Sequence, residues 1–258
     1  MNYFTITAGR TGTAWLASFF SKNLGIADIH EPLGIDEFGE KMPDIRTMRN
    51  FNNYGNNNFV KSFWERKFSS IQNEIYAETN HTLGKCGLVE NIALHGRCDH
   101  TTLIILRRNI VKQCVSYIIR NDFQNITIPW QWYLHPTYRL KIVNPQPFLE
   151  VPGFGVALWY CYEIAARQEY YLQKFADKIK MIDVELEVIT RNAGAQKFYR
   201  ELGLSGRCTI PDPKNETKQT SNENITKAVQ GVVSNINVDM SVLVRNAIRD
   251  GFTFETAP

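Results

Sequence analysis

No run of about 18 consecutive apolar residues occurs in this 258-residue chain. No basic leader with an apolar core precedes the strand-like residues at its start, so neither a membrane span nor a secretory signal is expected. No CxxC pair is present either. The five cysteines, Cys86, Cys98, Cys114, Cys161 and Cys208, are odd in number and scattered, which argues against a disulfide framework or a zinc cluster. A reducing, cytoplasmic setting follows as the expectation, and in it the Asn-x-Thr triplets at Asn125, Asn215 and Asn224 carry no meaning. His95, His100 and His135 have no metal-ligand spacing, so no metal is expected. Charge of one sign is missing as well: the formal net charge is +3, too small for a general nucleic-acid binder. Any anion site has to be local.

What is present is ample material for a core. With 43% hydrophobic and 21% charged residues, the chain is long enough for a single domain spanning residues 1–258. Strand patterns lie at 3–8, 26–29, 75–79, 102–107 and 179–184. Helical patterns lie at 12–24, 59–72, 110–121, 155–177, 190–202 and 236–249. Strands alternating with helices predict a three-layer α/β fold, a mostly parallel sheet flanked by helices. The asparagine-rich stretch 42–58 and the polar stretch 211–225 read as loops. Residues 126–154 carry five prolines among many aromatics and no clear period, which reads as an ordered lid over the site.

The opening segment "FTITAGRTGTAWLASFF", residues 4–20, reads as strand, glycine-bearing turn and helix. Such a helix start offers unpaired N–H groups to an anion at the carboxyl end of a parallel strand. Gly9 and Gly12 permit close approach, and Arg10, Thr11 and Thr13 add a cation and two hydroxyls. The GxxxxGK[ST] loop of nucleoside triphosphatases is absent. A second strand and helix, "TTLIILRRNIVKQCVSYIIR" at 101–120, places Arg108 eight residues before Ser116, a little over two helical turns.

These stretches together resemble the sulfotransferases that use 3'-phosphoadenosine 5'-phosphosulfate (PAPS). "RTGTAW", Arg10–Thr11–Gly12–Thr13–Ala14–Trp15, matches the loop that grips the 5'-phosphosulfate in that family, and "RNIVKQCVS", Arg108 to Ser116, matches the segment that grips the 3'-phosphate. "DVELEVI" at 183–189 and "YRELGL" at 199–204 are similar to the family's closing strand and helix, although Asp183 stands where the family usually has tyrosine. The resemblance implies a P-loop-like sulfotransferase architecture, PAPS as co-substrate, and Gly9, Arg10, Thr11, Gly12, Thr13, Ala14, Trp15, Arg108 and Ser116 as the nucleotide site. Arg10 would also act in catalysis. Arg10 departs from the lysine of the cytosolic branch, and that branch's C-terminal glycine-rich stretch is missing.

Sulfuryl transfer to a hydroxyl or amine calls for a base within hydrogen-bond reach of the acceptor. Two positions qualify. Glu31 in "IADIHEPLG" is similar in place to the glutamate base of glycan-modifying members, with His30 available to orient it. His81 in "YAETNHTL" is similar in place to the histidine base of the cytosolic branch. The aromatic run 129–138 would shape a small-molecule or glycan acceptor site, and a homodimer is left open. Two alternatives remain: a nucleotide kinase or NTPase on the same strand–loop–helix, and a nucleotide-binding relative without catalysis.

Overall fold

The computed structural model describes residues 1–32, 34–123, 132–212, 223–236 and 238–255. Its sheet is built from β1 (Asn2–Ile6), β2 (Tyr76–Glu78), β3 (Thr101–Arg107) and β4 (Lys180–Glu185), in the order β2-β1-β3-β4. All three pairings are parallel, with Asn2 opposite Thr101 and Leu103 opposite Met181. Parallel neighbours need crossover connections, and these are supplied by α1 (Thr13–Leu24), α2 (Ile45–Tyr54), α3 (Asn58–Ser70), α4 (Leu88–Leu94), α5 (Ile110–Ile119) and α6 (Gly155–Phe175). After β4 come α7 (Asn192–Glu201), α8 (Glu223–Asn235) and α9 (Met240–Arg249).

The strands are apolar on both faces because both faces are covered. Phe4, Ile6, Leu103 and Ile105 point into one core with residues of α3, α4, α5 and α6. Tyr3, Ile104, Leu106 and Ile182 point into the other, against Leu16, Phe19 and Phe20 of α1 and Phe198 of α7. Alternation along β3 thus divides its side chains between two helical layers, giving the expected three-layer α/β arrangement.

Three local expectations change. Residues 26–29 are extended but form no strand; Thr79 donates one backbone bond to Ile29 at 3.1 Å, while Asp28 accepts the Ser18 hydroxyl at 2.6 Å and ties the segment to α1. The stretch 42–58 contains α2 rather than a loop. Asp44 caps it by accepting from Thr47 N–H at 2.8 Å, and Met48 and Phe51 are buried. Asn50 and Asn53 satisfy themselves on carbonyls one turn back, each at 2.9 Å, so an asparagine-rich surface face costs the helix little. Most of 211–225 lies outside the described residues, and α8 begins within it at Glu223. Of the lid expected at 126–154, residues 126–131 lie outside the described residues. The remainder packs into the body, with Trp132, Leu134, Ile142, Val143 and Phe148 buried.

Candidate functional site

The loop after β1 turns by left-handed conformations at Gly9 (φ 82°), Arg10 (φ 53°) and Gly12 (φ 76°). A side chain at Gly12 would meet Leu186 Cδ1 at 2.4 Å, and one at Gly9 would meet the His81 ring at 3.2 Å. The left-handed φ favours glycine at both positions, and at Gly12 the space does as well. A positive φ at arginine is uncommon and persists only where surroundings impose it.

The surroundings do impose it, through the loop's carbonyls. Ala8 C=O accepts from the Tyr117 and Tyr160 hydroxyls at 2.6 and 2.7 Å, and Gly9 C=O accepts from Gln113 at 2.9 Å. Arg10 C=O accepts from Arg108 Nη1. In a trans peptide the N–H of the next residue opposes the C=O. Three pinned carbonyls therefore turn the N–H groups of Gly9, Arg10 and Thr11 the other way, the arrangement of an anion-binding nest. Residues 113, 117 and 160 are absent from the sequence-based site. Tyr117 adjoins Ser116 in the second motif, yet nothing in its spacing says that its hydroxyl faces backward onto the loop.

The expected nucleotide residues converge. Arg10 Nε donates to the buried Ser116 hydroxyl at 3.1 Å, across 106 residues of chain. Arg108 approaches Glu187 at 3.9 Å, and Lys112 approaches the same carboxylate at 3.6 Å. Glu187 lies in the single helical turn Leu186–Ile189 after β4, so the third motif meets the first two. Thr11 and Thr13 are less simple. The Thr11 hydroxyl pairs with Thr7 at 2.5 Å, and because Thr7 donates to Leu106 C=O, Thr11 is the donor of the pair. Thr13 Oγ1 is 2.7 Å from His30 Nε2. Ala14 is half-buried at the start of α1, and Trp15 is buried against Phe19 with its indole N–H on Pro211 C=O.

A cavity of about 450 Å³ opens at the carboxyl end of β3, lined by Ala8, Thr11, Arg108, Lys112, Gln113 and Glu187 among others. Arg108 Nε is buried and makes no hydrogen bond to any described residue. Burial is the chief influence on Arg108 and lowers its pKa, opposed by Glu187.

Glu31 and His81, the two expected bases, stand together. Glu31 Oε1 is 3.6 Å from His81 Nε2 and 3.5 Å from His30 Nε2. Burial pushes the Glu31 carboxyl upward against the pull of His30, Lys85 and Arg10, and it pushes His81 well below the ordinary imidazole value. On the far side of His81, its Nδ1 lies 2.8 Å from Lys85 Nζ. The Tyr133 ring lies 5.7 Å from the His81 ring and walls a second cavity of about 340 Å³, shared with Phe123, Tyr138 and Val156.

No protein-family model matches the chain, and no curated protein sequence does. Among solved structures, the crystal structure of a sulfotransferase from Alicyclobacillus acidocaldarius is similar. The two share 15% identity over 95% of this chain and 95% of that one, with a TM-score of 0.48. Among the described residues no helix is long and apolar enough to cross a membrane, and no group of three or more His, Cys, Asp or Glu is placed to hold a metal ion.

Proposed function

We propose that the protein transfers a sulfuryl group from PAPS to a hydroxyl or amine of a small-molecule or glycan acceptor. One observation carries this reading. Arg10, Arg108 and Ser116, from two motifs about a hundred residues apart, meet at the carboxyl ends of β1 and β3 beside the Glu31–His81 pair. An anion suits the place: Arg108 Nε is buried without a hydrogen-bond acceptor and adjoins the larger cavity.

In this reading the β1 loop and Arg10 hold the 5'-phosphosulfate, and Arg108 and Ser116 hold the 3'-phosphate. PAPS supplies an activated sulfuryl group whose departure leaves a phosphate anion. Arg10 and the loop N–H groups balance negative charge where it develops, a role that strengthens in the transition state. The acceptor enters along the Tyr133 wall and presents its hydroxyl to the Glu31–His81 pair, which takes the proton.

The test is calorimetry with 3'-phosphoadenosine 5'-phosphate, AMP and ATP–Mg²⁺. A charged hydrogen bond left unmade costs about 1.5–3 kcal/mol, so the 3'-phosphorylated nucleotide should bind about 10–100-fold tighter than AMP. Arg108→Ala should erase most of that difference. Equal affinity for the two nucleotides sinks the proposal, and preference for ATP–Mg²⁺ moves the protein to the kinase class. Tight binding without turnover of labelled donor on an acceptor panel would mark a silent relative.

A further inference from the structure

Lys85 has no part in the roles above, yet it is fully buried beside the site, at the end of the 3-10 turn Leu83–Lys85. Its Nζ reaches three groups: Trp132 C=O at 2.5 Å, the Tyr160 hydroxyl at 2.9 Å and His81 Nδ1 at 2.8 Å. The Tyr133 and Tyr160 rings lie 5.4 and 5.3 Å from the same nitrogen, contacts that favour the cation against the burial that disfavours it.

An ammonium has three hydrogens to donate and no lone pair. A carbonyl can only accept, and the Tyr160 hydroxyl has committed its own hydrogen to Ala8 C=O, so it too can only accept. Two of the three ammonium hydrogens are thereby placed, and the third lies on the line to Nδ1. With Nδ1 accepting, a neutral imidazole carries its hydrogen on Nε2, the nitrogen that faces Glu31. We propose that Lys85 is a positioning residue that sets the His81 tautomer, placing hydrogen on Nε2 toward Glu31, so that Glu31 and not His81 is the proton acceptor.

In the transfer step the acceptor's O–H hydrogen passes to a Glu31 oxygen. The electron pair of that bond forms the new bond from the attacking oxygen to sulfur, the bond from sulfur to the donor's 5'-phosphate oxygen breaks with its pair left on the phosphate, and His81 exchanges no proton. The tautomer stands independently of the reaction, whereas the choice of base rests on the function proposed above.

The arrangement responds to pH. Burial brings Lys85 down to about 7, with Arg167 acting in the same direction and Cys86 and Glu31 opposing it. His30 and Arg10 join Lys85 in disfavouring a charged His81. Once Lys85 loses a proton, its lone pair can accept from Nδ1, and the ring hydrogen moves there.

Long-range proton–nitrogen correlation spectra of ¹⁵N-histidine-labelled protein, with His81 assigned through His81→Asn, read this directly without any substrate. At pH 6 the Nε2–H form should exceed the Nδ1–H form about tenfold, one unit below the lysine's titration, and the ratio should fall as pH rises through 7 to 8. In Lys85→Met the preference at pH 6 and its pH dependence should both disappear. An Nδ1–H or doubly protonated ring at pH 6 in the wild type overturns the proposal even if the variant does not fold. So does a Lys85→Met spectrum that matches the wild type throughout. The expected spectrum combined with full activity of Glu31→Gln on a verified acceptor would refute the base assignment while leaving the tautomer in place. Failure to bind 3'-phosphorylated nucleotide would count against the function alone.

Discussion

Burial acts on the two nearest proton acceptors in opposite directions, raising Glu31 and lowering His81. An exposed carboxylate and an exposed imidazole differ by about two pH units, and a rate–pH profile would separate them. Here burial moves the two toward each other, so the position of the acid limb does not by itself tell which group is the base. Substitution does. Glu31→Gln should lower kcat on the order of 10²–10⁴-fold with nucleotide affinity intact, while His81→Asn, which removes a neighbour of the base, should cost less. Single-turnover rates together with nucleotide titrations measure both effects. A larger loss in His81→Asn would make the imidazole the base.

At the scale of elements, the loop from Ala8 to Gly12 owes its shape to what closes around it. Tyr117 and Gln113 of α5 and Tyr160 of α6 hold its carbonyls, and Leu186 after β4 abuts Gly12. Gly12→Ala imposes both a positive φ on a residue with Cβ and a contact at 2.4 Å with Leu186 Cδ1. The expected cost is about 1–3 kcal/mol of stability, with a loss of nucleotide affinity as the loop shifts. Adding Leu186→Ala relieves the contact but not the dihedral, so recovery should be partial. Thermal unfolding and calorimetry on the single and double variants check this, and a Gly12→Ala protein with unchanged Tm and affinity would show that the loop needs neither constraint.

Across the whole molecule, the cost of burying ionisable groups extends from the site into the core. Glu90, on α4, is buried with neither carboxylate oxygen in full hydrogen-bond geometry among the described residues, and burial pushes its pKa up to about 7 despite the pull of its own backbone N–H, the neighbouring Tyr171 hydroxyl, Arg167 and Lys174. A carboxyl raised above its unfolded value binds its proton more tightly in the folded state. Folding stability should therefore fall as pH rises from the ordinary glutamate range through about 7, and the penalty is complete above that. Glu90→Gln removes the charge while keeping the shape. It should stabilise the protein at pH 8 by about 2–3 kcal/mol and by little at pH 5. Urea unfolding at the two pH values measures the difference, and an equal effect at both would mean that Glu90 is not the titrating group.

Local pattern was enough for the parts of this protein that depend on neighbours in the chain. The apolar runs of β1, β3 and β4, the helical period of α1, α5 and α6, and the glycines of the first turn are legible because strand, helix and left-handed turn each impose a short-range rule. The helical spacing that put Arg108 and Ser116 on one side did not show that Arg10 stands between them, accepting from Arg108 through its C=O and donating to Ser116. Helix α2 was hidden because its asparagines bond within the helix and mimic loop composition. Lys85, Tyr117 and Tyr160 were hidden for a different reason. A buried lysine or tyrosine is defined by which distant groups accept its hydrogens, and the partners of Tyr160 lie 75 and 152 residues away. The chain's local chemistry thus determined where the glycine-bearing turn and the arginines after β1 and β3 lie. Only the packing of α5 and α6 across the sheet decided which way the loop faces and how Glu31, His81 and Lys85 stand relative to one another, because burial and hydrogen-bond direction exist only once those elements have closed.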